Sequence, residues 1–274
     1  PDSDDAFMFY GLTSGAVKVD GYEFSHDLCD IETLNQRVRK GELDCTAASV
    51  HVLAYIQNDY AVLDSGASMG ESEYGPRIVS NRPLTLEKGK KYKIALPGEF
   101  TSATLATKIY LAENNIDAEI SYVFFDEVQH AVKNGDYDCG VIIHEGQLTY
   151  QKEGLHLTLD LGEWWWNKHK LPLPLGVNIV KKSIGIDAMK ATLSALKQSI
   201  VFSLENREKA LEYALTYGRG ISNKDADIFV GMYVNDRTVS LGKDGRKSIE
   251  LFLKEGSEHG FIPQVPNLQF ITLD

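Results

Sequence analysis

Residues 126–144, Asp-Glu-Val-Gln-His-Ala-Val-Lys-Asn-Gly-Asp-Tyr-Asp-Cys-Gly-Val-Ile-Ile-His, have the pattern of a helix, a turn and a strand in immediate succession. We predict that Asp126 caps the helix, that Gly135 ends it, and that the apolar, β-branched run 139–143 is a core strand. His144 follows at the carboxyl end of that strand. Since α/β proteins place their chemistry at such strand ends, His144 is a candidate functional residue, the alternative being a structural histidine satisfied by the backbone.

The chain contains the same unit a second time. Residues 30–49 are Asp-Ile-Glu-Thr-Leu-Asn-Gln-Arg-Val-Arg-Lys-Gly-Glu-Leu-Asp-Cys-Thr-Ala-Ala-Ser. Asp30 is the expected helix cap, Gly41 is the expected helix end, and an Asp-Cys pair again enters a strand. Ser49 ends this copy, as His144 ends the other. Two equivalent strand ends predict two similar lobes, with Ser49 and His144 facing each other across a cleft.

Composition and charge favour a small molecule as the partner. The 274 residues, 43% of them hydrophobic, suffice for one large domain or two ordinary ones. A net charge of -11 disfavours nucleic acid and anionic membrane, either of which asks for a basic face. No window approaches the ~20 apolar residues of a membrane span. The oligomeric state is left open.

Cysteine and histidine usage argues against disulfide and metal chemistry. The chain has three cysteines and no CxxC pair. Cys45 and Cys139, at equivalent positions of the repeated unit, are predicted to be small core residues, which suits a reducing compartment such as the cytoplasm. The seven histidines show no ligand spacing, so we expect no metal.

Polar groups also cluster at two predicted helix starts. Residues 3–7, Ser-Asp-Asp-Ala-Phe, open an apolar helix, where capping and helix-dipole energetics alone explain acidic residues. A strand at 92–96 leads into Pro-Gly-Glu-Phe-Thr-Ser-Ala at 97–103. Hydroxyls and free backbone N–H groups at such a helix start suit a carboxylate or phosphate, with plain N-capping as the alternative.

The remaining patterns predict structural elements. We predict strands at 17–28 and 60–64, and a glycine-rich loop at 65–76 that is a candidate pocket wall but lacks the phosphate-loop and dinucleotide fingerprints. Three consecutive tryptophans at 164–166 cannot all face a core. The last third, from residue 187, is predicted to be helical with a break at Gly218-Arg219-Gly220, and its periodicity indicates packing.

Seven short motifs follow one another along nearly the whole chain: Ser-Asp-Asp-Ala-Phe (3–7), Gly-Glu-Leu-Asp-Cys-Thr-Ala-Ala-Ser (41–49), Ser-Gly-Ala-Ser-Met-Gly (65–70), Leu-Pro-Gly with Thr-Ser-Ala (96–103), Ile-His-Glu-Gly (143–146), Asp-Leu-Gly-Glu-Trp-Trp (160–165) and Leu-Pro-Leu-Pro-Leu-Gly (171–176). Jointly they resemble the menaquinone-biosynthesis family that holds 1,4-dihydroxy-6-naphthoate synthase and its sister, chorismate dehydratase. The His-Glu-Gly and tryptophan motifs are similar to those of the naphthoate synthase branch.

The resemblance implies an α/β fold of the periplasmic-binding-protein-like type II class. Such a fold has two α/β lobes, a ligand cleft between them and two crossovers, which agrees with the duplicated unit. From the punctuation of the sequence we expect lobe 1 to comprise residues 1–82 and 180–274, and lobe 2 to comprise residues 83–179.

The resemblance also implies a carbon–carbon lyase of the futalosine route to menaquinone. That enzyme cleaves cyclic dehypoxanthine futalosine to 1,4-dihydroxy-6-naphthoate without a cofactor, using a histidine general base at the position of His144. The substrate, a small-molecule carboxylate, has these candidate contacts: Asp5, Ser49, Thr101, Ser102 and Ala103. Chorismate dehydratase is the alternative enzyme, and a non-catalytic solute-binding protein, which normally carries an export signal, is the alternative class.

Overall fold

Two β-sheets with helices packed around them form the frame of the computed structural model, which describes residues 3–71, 74–217 and 222–273. The strands are β1 (Cys45–Ser49), β2 (Tyr60–Leu63), β3 (Ser68–Gly70), β4 (Arg77–Ser80), β5 (Lys91–Leu96), β6 (Asp117–Tyr122), β7 (Cys139–Ile142), β8 (His156–Asp160), β9 (Leu173–Lys181) and β10 (Phe270–Ile271).

The helices lie between these strands and after them. They are α1 (Ser3–Thr13), α2 (Ile31–Arg39), α3 (Leu53–Ile56), α4 (Ser102–Glu113), α5 (Val128–Asn134), α6 (Gly146–Thr149), α7 (Leu161–His169), α8 (Ile186–Glu205), α9 (Arg207–Leu215), α10 (Asn223–Tyr233), α11 (Asp236–Val239) and α12 (Gly242–Glu258). No helix in the described ranges is both long enough and apolar enough to cross a lipid bilayer.

The first sheet has the strand order β1-β9-β2-β10, and β3 pairs with β9 as well. Strands β1 and β3 both run antiparallel to β9. Their registers place Ser49 of β1 and Ser68 of β3 opposite the same residue, Gly176 of β9. Ser49 and Ser68 therefore flank Gly176, which has no side chain.

The second sheet has the order β6-β5-β7-β4-β8. Strands β5, β6 and β7 are parallel, so their carboxyl ends lie at one edge of the sheet. The three segments that leave this edge lead to the start of α4, to Phe125 and to His144. The edge of the sheet thus positions residues that are far apart in sequence.

The repeated unit predicted from sequence is present in both copies, with one error. Asp30 caps α2, since its side chain accepts a hydrogen bond from the backbone N–H of Thr33 at 3.0 Å. Gly135 ends α5 in the left-handed conformation, with φ 83°. The prediction that Asp126 caps α5 is wrong. The helix begins one residue later than expected, after Glu127, whose backbone is already helical and whose side chain makes no cap.

The predicted lobe boundaries are wrong because they assign two strands to the wrong sheet. Strand β4, expected in lobe 1, pairs with β7 and β8 in the second sheet. Strand β9, most of which was expected in lobe 2, pairs with β1 and β2 in the first. Both strands are largely buried, and their composition suits either sheet. The chain changes sheets between Gly70 and Arg77 and again between Asp160 and Leu173.

The two segments that connect the sheets touch each other through backbone. A Cβ on Gly75 would lie 2.7 Å from the Cα and N of Gly162, and one on Gly162 would lie 2.5 Å from the carbonyl oxygen of Tyr74. Neither glycine can carry a side chain without displacing the other segment. Beside them, the Asp160 carboxylate accepts hydrogen bonds from the Gly162 N–H at 2.9 Å and from Arg77 Nε at 3.0 Å.

The largest hydrophobic cluster is built from both sheets. It contains side chains of β2, β5, α4, α7, β9 and α12, among them Leu96, Leu105, Trp165, Ile179 and Phe252, all buried. Trp165 is the one tryptophan of the three that is fully buried, as expected for a run that cannot all face a core. Packed side chains therefore join the two sheets.

The remaining predictions have mixed outcomes. The strand at 60–64 and the helices from residue 187 onward are confirmed, although the predicted break at 218–220 lies outside the described residues. The strand at 17–28 is wrong, because this largely exposed segment forms only a bridge from Val19 to Tyr22 around Gly21, where φ is 80°. Cys139 is buried as predicted, whereas Cys45 is exposed.

Candidate functional site

A cleft lined by residues from both sheets collects all six residues singled out from sequence. The cleft contains about 710 Å³ of space between protein atoms, and this volume includes open solvent. Its lining includes Asp5, Ser49, Thr101, Ser102, Ala103 and His144. Ser49 and His144 therefore share one cleft, as the repeated unit predicts.

His144 is held by its backbone and by its ring. Its φ of 58° lies in the left-handed region, which few residues with side chains adopt and which histidine, asparagine and aspartate adopt more readily than most. The N–H of Gln147 donates to the His144 carbonyl at 3.1 Å. The imidazole meets the buried Phe125 ring edge to face, with centroids 4.9 Å apart. Both contacts fix the direction in which the imidazole enters the cleft.

The two hydroxyls at the start of α4 bind protein groups. Thr101 caps the helix, because its Oγ1 accepts from the Thr104 N–H at 3.2 Å. Ser102 Oγ accepts from the His51 N–H at 3.4 Å and donates to the Leu175 carbonyl at 2.5 Å. The N-capping alternative is therefore correct for the Thr101 hydroxyl.

The backbone N–H groups of the first turn of α4 are the donors left at this helix start. Within the described part of the chain, the N–H groups of Ser102 and Ala103 have no acceptor in hydrogen-bonding distance. Both residues are buried and line the cleft. A helix start of this kind attracts a carboxylate through its unpaired donors and its dipole.

Ser49 is oriented by a residue that the sequence did not single out. The Ser49 N–H donates to Asn35 Oδ1, and Asn35 Nδ2 donates to Ser49 Oγ, both at 2.9 Å. Asn35 is fully buried on α2. Because Ser49 Oγ accepts in this pair, its own proton is left to donate toward the cleft. A polar residue among the apolar positions of α2 is the only sequence signal for this role.

Acidic groups lie on the α1 side of the cleft. Asp4 is buried and Asp5 is half-buried, and Ser68 Oγ lies 3.5 Å from an Asp4 carboxylate oxygen. No lysine or arginine is among the described residues that line the cleft. Searching the described ranges, we find no group of three or more His, Cys, Asp or Glu side chains suited to holding a metal ion. The cleft lining therefore combines carboxylates of α1 with backbone N–H donors at the start of α4.

Hydrogen bonds join α1 and α10 to the segment that follows His144. The Ser3 hydroxyl donates to Glu145 Oε1 at 2.9 Å. The Tyr233 hydroxyl donates to Gln147 Oε1 at 2.8 Å, and burial raises the pKa of the Tyr233 phenol, which therefore stays protonated. Tyr233 and Phe229 of α10 line the cleft. The last third of the chain, whose periodicity indicates packing, therefore also contributes aromatic residues to the cleft lining.

Solved structures that superpose on this one define the class of protein. The ligand-binding component of an ABC-type import system from Staphylococcus aureus has a TM-score of 0.69 at 11% identity, covering 97% of this chain and 90% of its own. A Candida albicans protein described as having the generic periplasmic binding protein fold has a TM-score of 0.66 at 12% identity, covering 98% and 95%. The fold is that of the periplasmic binding proteins, as the motifs implied.

Sequence comparison identifies the family. A sequence model of the menaquinone biosynthesis family matches residues 1–258. Proteins named 1,4-dihydroxy-6-naphthoate synthase from Thermus thermophilus and Streptomyces coelicolor are 30% and 31% identical, covering 99% and 96% of this chain and 97% and 93% of their own length. A crystal structure of an Archaeoglobus fulgidus protein is 38% identical, with a TM-score of 0.89 over 96% of both chains. The chain belongs to the menaquinone biosynthesis family.

Proposed function

We propose that the protein is a carbon–carbon lyase that cleaves cyclic dehypoxanthine futalosine to 1,4-dihydroxy-6-naphthoate, with His144 as the general base. The observation that carries this proposal is the position of a fixed imidazole in the same cleft as the anion-binding start of α4. Both follow the carboxyl ends of neighbouring parallel strands, β7 and β5. The two relatives named 1,4-dihydroxy-6-naphthoate synthase support the choice of reaction.

The chemistry needs a base beside a bound ketone. A cyclic ketone must lose a proton next to its carbonyl before its carbon skeleton fragments and the ring becomes aromatic. A neutral imidazole accepts such a proton near pH 7. In this proposal a closed cleft keeps bulk water away from the reacting carbon while the substrate is held in register with the base.

The charges in the cleft give the substrate one orientation. Its carboxylate binds the N–H groups of Ser102 and Ala103, because a helix start attracts an anion through its unpaired donors and its dipole. Asp5 then accepts hydrogen bonds from substrate hydroxyls, and Ser49, held by Asn35, donates to the substrate from the first sheet. Each of the six candidate residues thereby has a role, although Thr101 acts by capping the helix.

One assay separates this reaction from the alternatives. The purified protein is incubated with cyclic dehypoxanthine futalosine and, separately, with chorismate, and products are identified by mass spectrometry. We expect 1,4-dihydroxy-6-naphthoate from the first compound and no turnover of the second. Dehydration of chorismate alone would replace the proposal with the sister activity. Binding of either compound without turnover would identify a solute-binding protein.

The carboxylate site predicts where a small dicarboxylate binds. In crystals grown with malonate or tartrate, we expect a carboxylate within about 2.7–3.2 Å of the backbone nitrogens of Ser102 and Ala103. Ser102→Pro removes one of these donors at the first helical position, which tolerates proline, and Thr101 before it is already extended. We expect this variant to weaken substrate binding about tenfold or more, because a hydrogen bond to a charged group contributes about 1.5–3 kcal/mol.

The matched control is Ser102→Ala, which removes the hydroxyl but keeps the N–H donor. Isothermal titration of both variants compares the two effects directly. Equal affinity losses in the alanine and proline variants would assign the effect to the hydroxyl. An anion bound elsewhere in the cleft, with the start of α4 empty, would contradict the carboxylate site.

A further inference from the structure

Gln147 is fixed at three of its atoms while it lines the cleft. It is 3% exposed and follows His144 by three residues. Its backbone N–H donates to the His144 carbonyl at 3.1 Å, its carbonyl accepts from Arg77 Nη1 at 2.6 Å, and its Oε1 accepts from the Tyr233 hydroxyl at 2.8 Å. Arg77 is itself bound to Asp160, so this anchoring extends into the second sheet.

The side-chain nitrogen Nε2 of Gln147, a hydrogen-bond donor, has no role in this anchoring. The amide oxygen is occupied by Tyr233, which assigns the other end of the amide to the two N–H donors of Nε2. Within the described ranges, no protein acceptor lies in hydrogen-bonding distance of Nε2. Gln147 Nε2 is not one of the fully buried side-chain atoms that lack a partner, so a ligand or water can reach it from the cleft. The cleft therefore presents an oriented, uncharged donor on the same turn as the imidazole.

The proposed reaction needs a donor near the base. When His144 removes the proton, the carbon–hydrogen bond breaks and its electron pair forms a carbon–carbon double bond to the carbonyl carbon. The carbon–oxygen π pair moves to the oxygen, which becomes an enolate, and the proton stays on the imidazole. Because that oxygen is two bonds from the deprotonated carbon, its stabilising donor must lie close to the base. The described cleft lining offers no lysine or arginine for this purpose.

We propose that Gln147 is a second catalytic residue, whose side-chain N–H donates to the substrate carbonyl oxygen and stabilises the enolate. This inference rests on the proposed function. Tyr233 is a positioning residue, since its hydroxyl holds the amide in the orientation that turns Nε2 toward the cleft. A donor that acts mainly on the developing charge affects turnover more than substrate binding.

The test compares kcat and KM for variants that separate donation from packing. Gln147→Glu keeps an oxygen acceptor for Tyr233 and loses the donor. The double variant Gln147→Leu with Tyr233→Phe removes both polar partners together, which leaves no buried polar group unpaired. For both we expect kcat to fall about 10²- to 10³-fold, as for loss of an oxyanion donor, with KM changed less than about threefold.

Two further variants complete the comparison. Tyr233→Phe keeps the donor but frees its orientation, and we expect a smaller loss of kcat, about tenfold. Gln151→Leu makes the same change at an exposed glutamine outside the cleft, and we expect wild-type kinetics.

The outcomes distinguish the two proposals. A wild-type enzyme that forms the naphthoate, with kcat unchanged in both Gln147 variants, overturns the role of Gln147 alone. A rise in KM without loss of kcat also overturns it, because the amide then only binds substrate. A wild-type protein that does not turn over the cyclic compound overturns both proposals. If Gln147→Glu fails to fold, the double variant decides.

Discussion

His144→Asn is expected to lower turnover by roughly 10²- to 10⁴-fold, the usual contribution of a positioned general base. Asparagine keeps much of the size and hydrogen bonding of histidine but cannot take up a proton at neutral pH. It also tolerates the left-handed backbone at this position, where φ is 58°. We therefore expect little change in melting temperature or substrate affinity. Steady-state kinetics and thermal melting of the two proteins measure these quantities.

The control is His130→Asn, which makes the same change at an exposed position on α5. It should leave turnover unchanged. Near-normal turnover in His144→Asn would mean that another residue is the base. Loss of folding in that variant would favour the alternative of a structural histidine.

His51 should make the protein less stable in mild acid. It is 2% exposed, and burial lowers the pKa of its imidazole from 6.5 to about 4, although a hydrogen bond between Nδ1 and the Thr101 carbonyl at 3.3 Å acts in the opposite direction. The unfolded chain therefore binds a proton at a pH where the folded chain does not. Its contribution to stability is fully present above pH 6.5 and is lost as the pH falls toward 4, to a total of about 3 kcal/mol.

Denaturant unfolding across this pH range measures the effect. The free energy of unfolding should fall more steeply between about pH 6.5 and 4 in the wild-type protein than in His51→Gln, which has no imidazole to protonate. His156→Gln, at an exposed position on β8, should retain the wild-type slope. The same slope in the His51 variant would show that this imidazole does not control the pH dependence.

The parts of the site that local signals specify were predictable. Ser49 and His144 each end the same helix-glycine-strand unit, and a glycine or a cap marks its boundaries in a few residues of sequence. The start of α4 follows from a strand, Pro-Gly and a run of hydroxyls in the same way. Strands β5 and β7 are parallel neighbours, so the start of α4 and His144 lie at one sheet edge, and the repeated unit places Ser49 at the corresponding strand end of the first sheet.

The parts that depend on distant partners were not predictable. Asn35 and Tyr233 act through hydrogen bonds to Ser49 and Gln147, residues that tertiary folding brings beside them. In a single sequence, no signal distinguishes such an asparagine or tyrosine from a residue that only packs in the core. Strands β4 and β9 were assigned to the wrong sheets for the same reason, since pairing is decided by long-range contacts.

The backbone contact between Gly75 and Gly162 bears on how the lobes turn relative to each other. Two interlobe connections that lie apart allow the lobes to rotate only about the axis that passes through both. Two connections that touch form a single joint between the lobes. Away from this joint, the contacts of Ser3 with Glu145 and of Tyr233 with Gln147 also join α1 and α10 to the segment that follows His144. Substitutions in α1 and α10 would consequently change how the two lobes are held together without touching either connection.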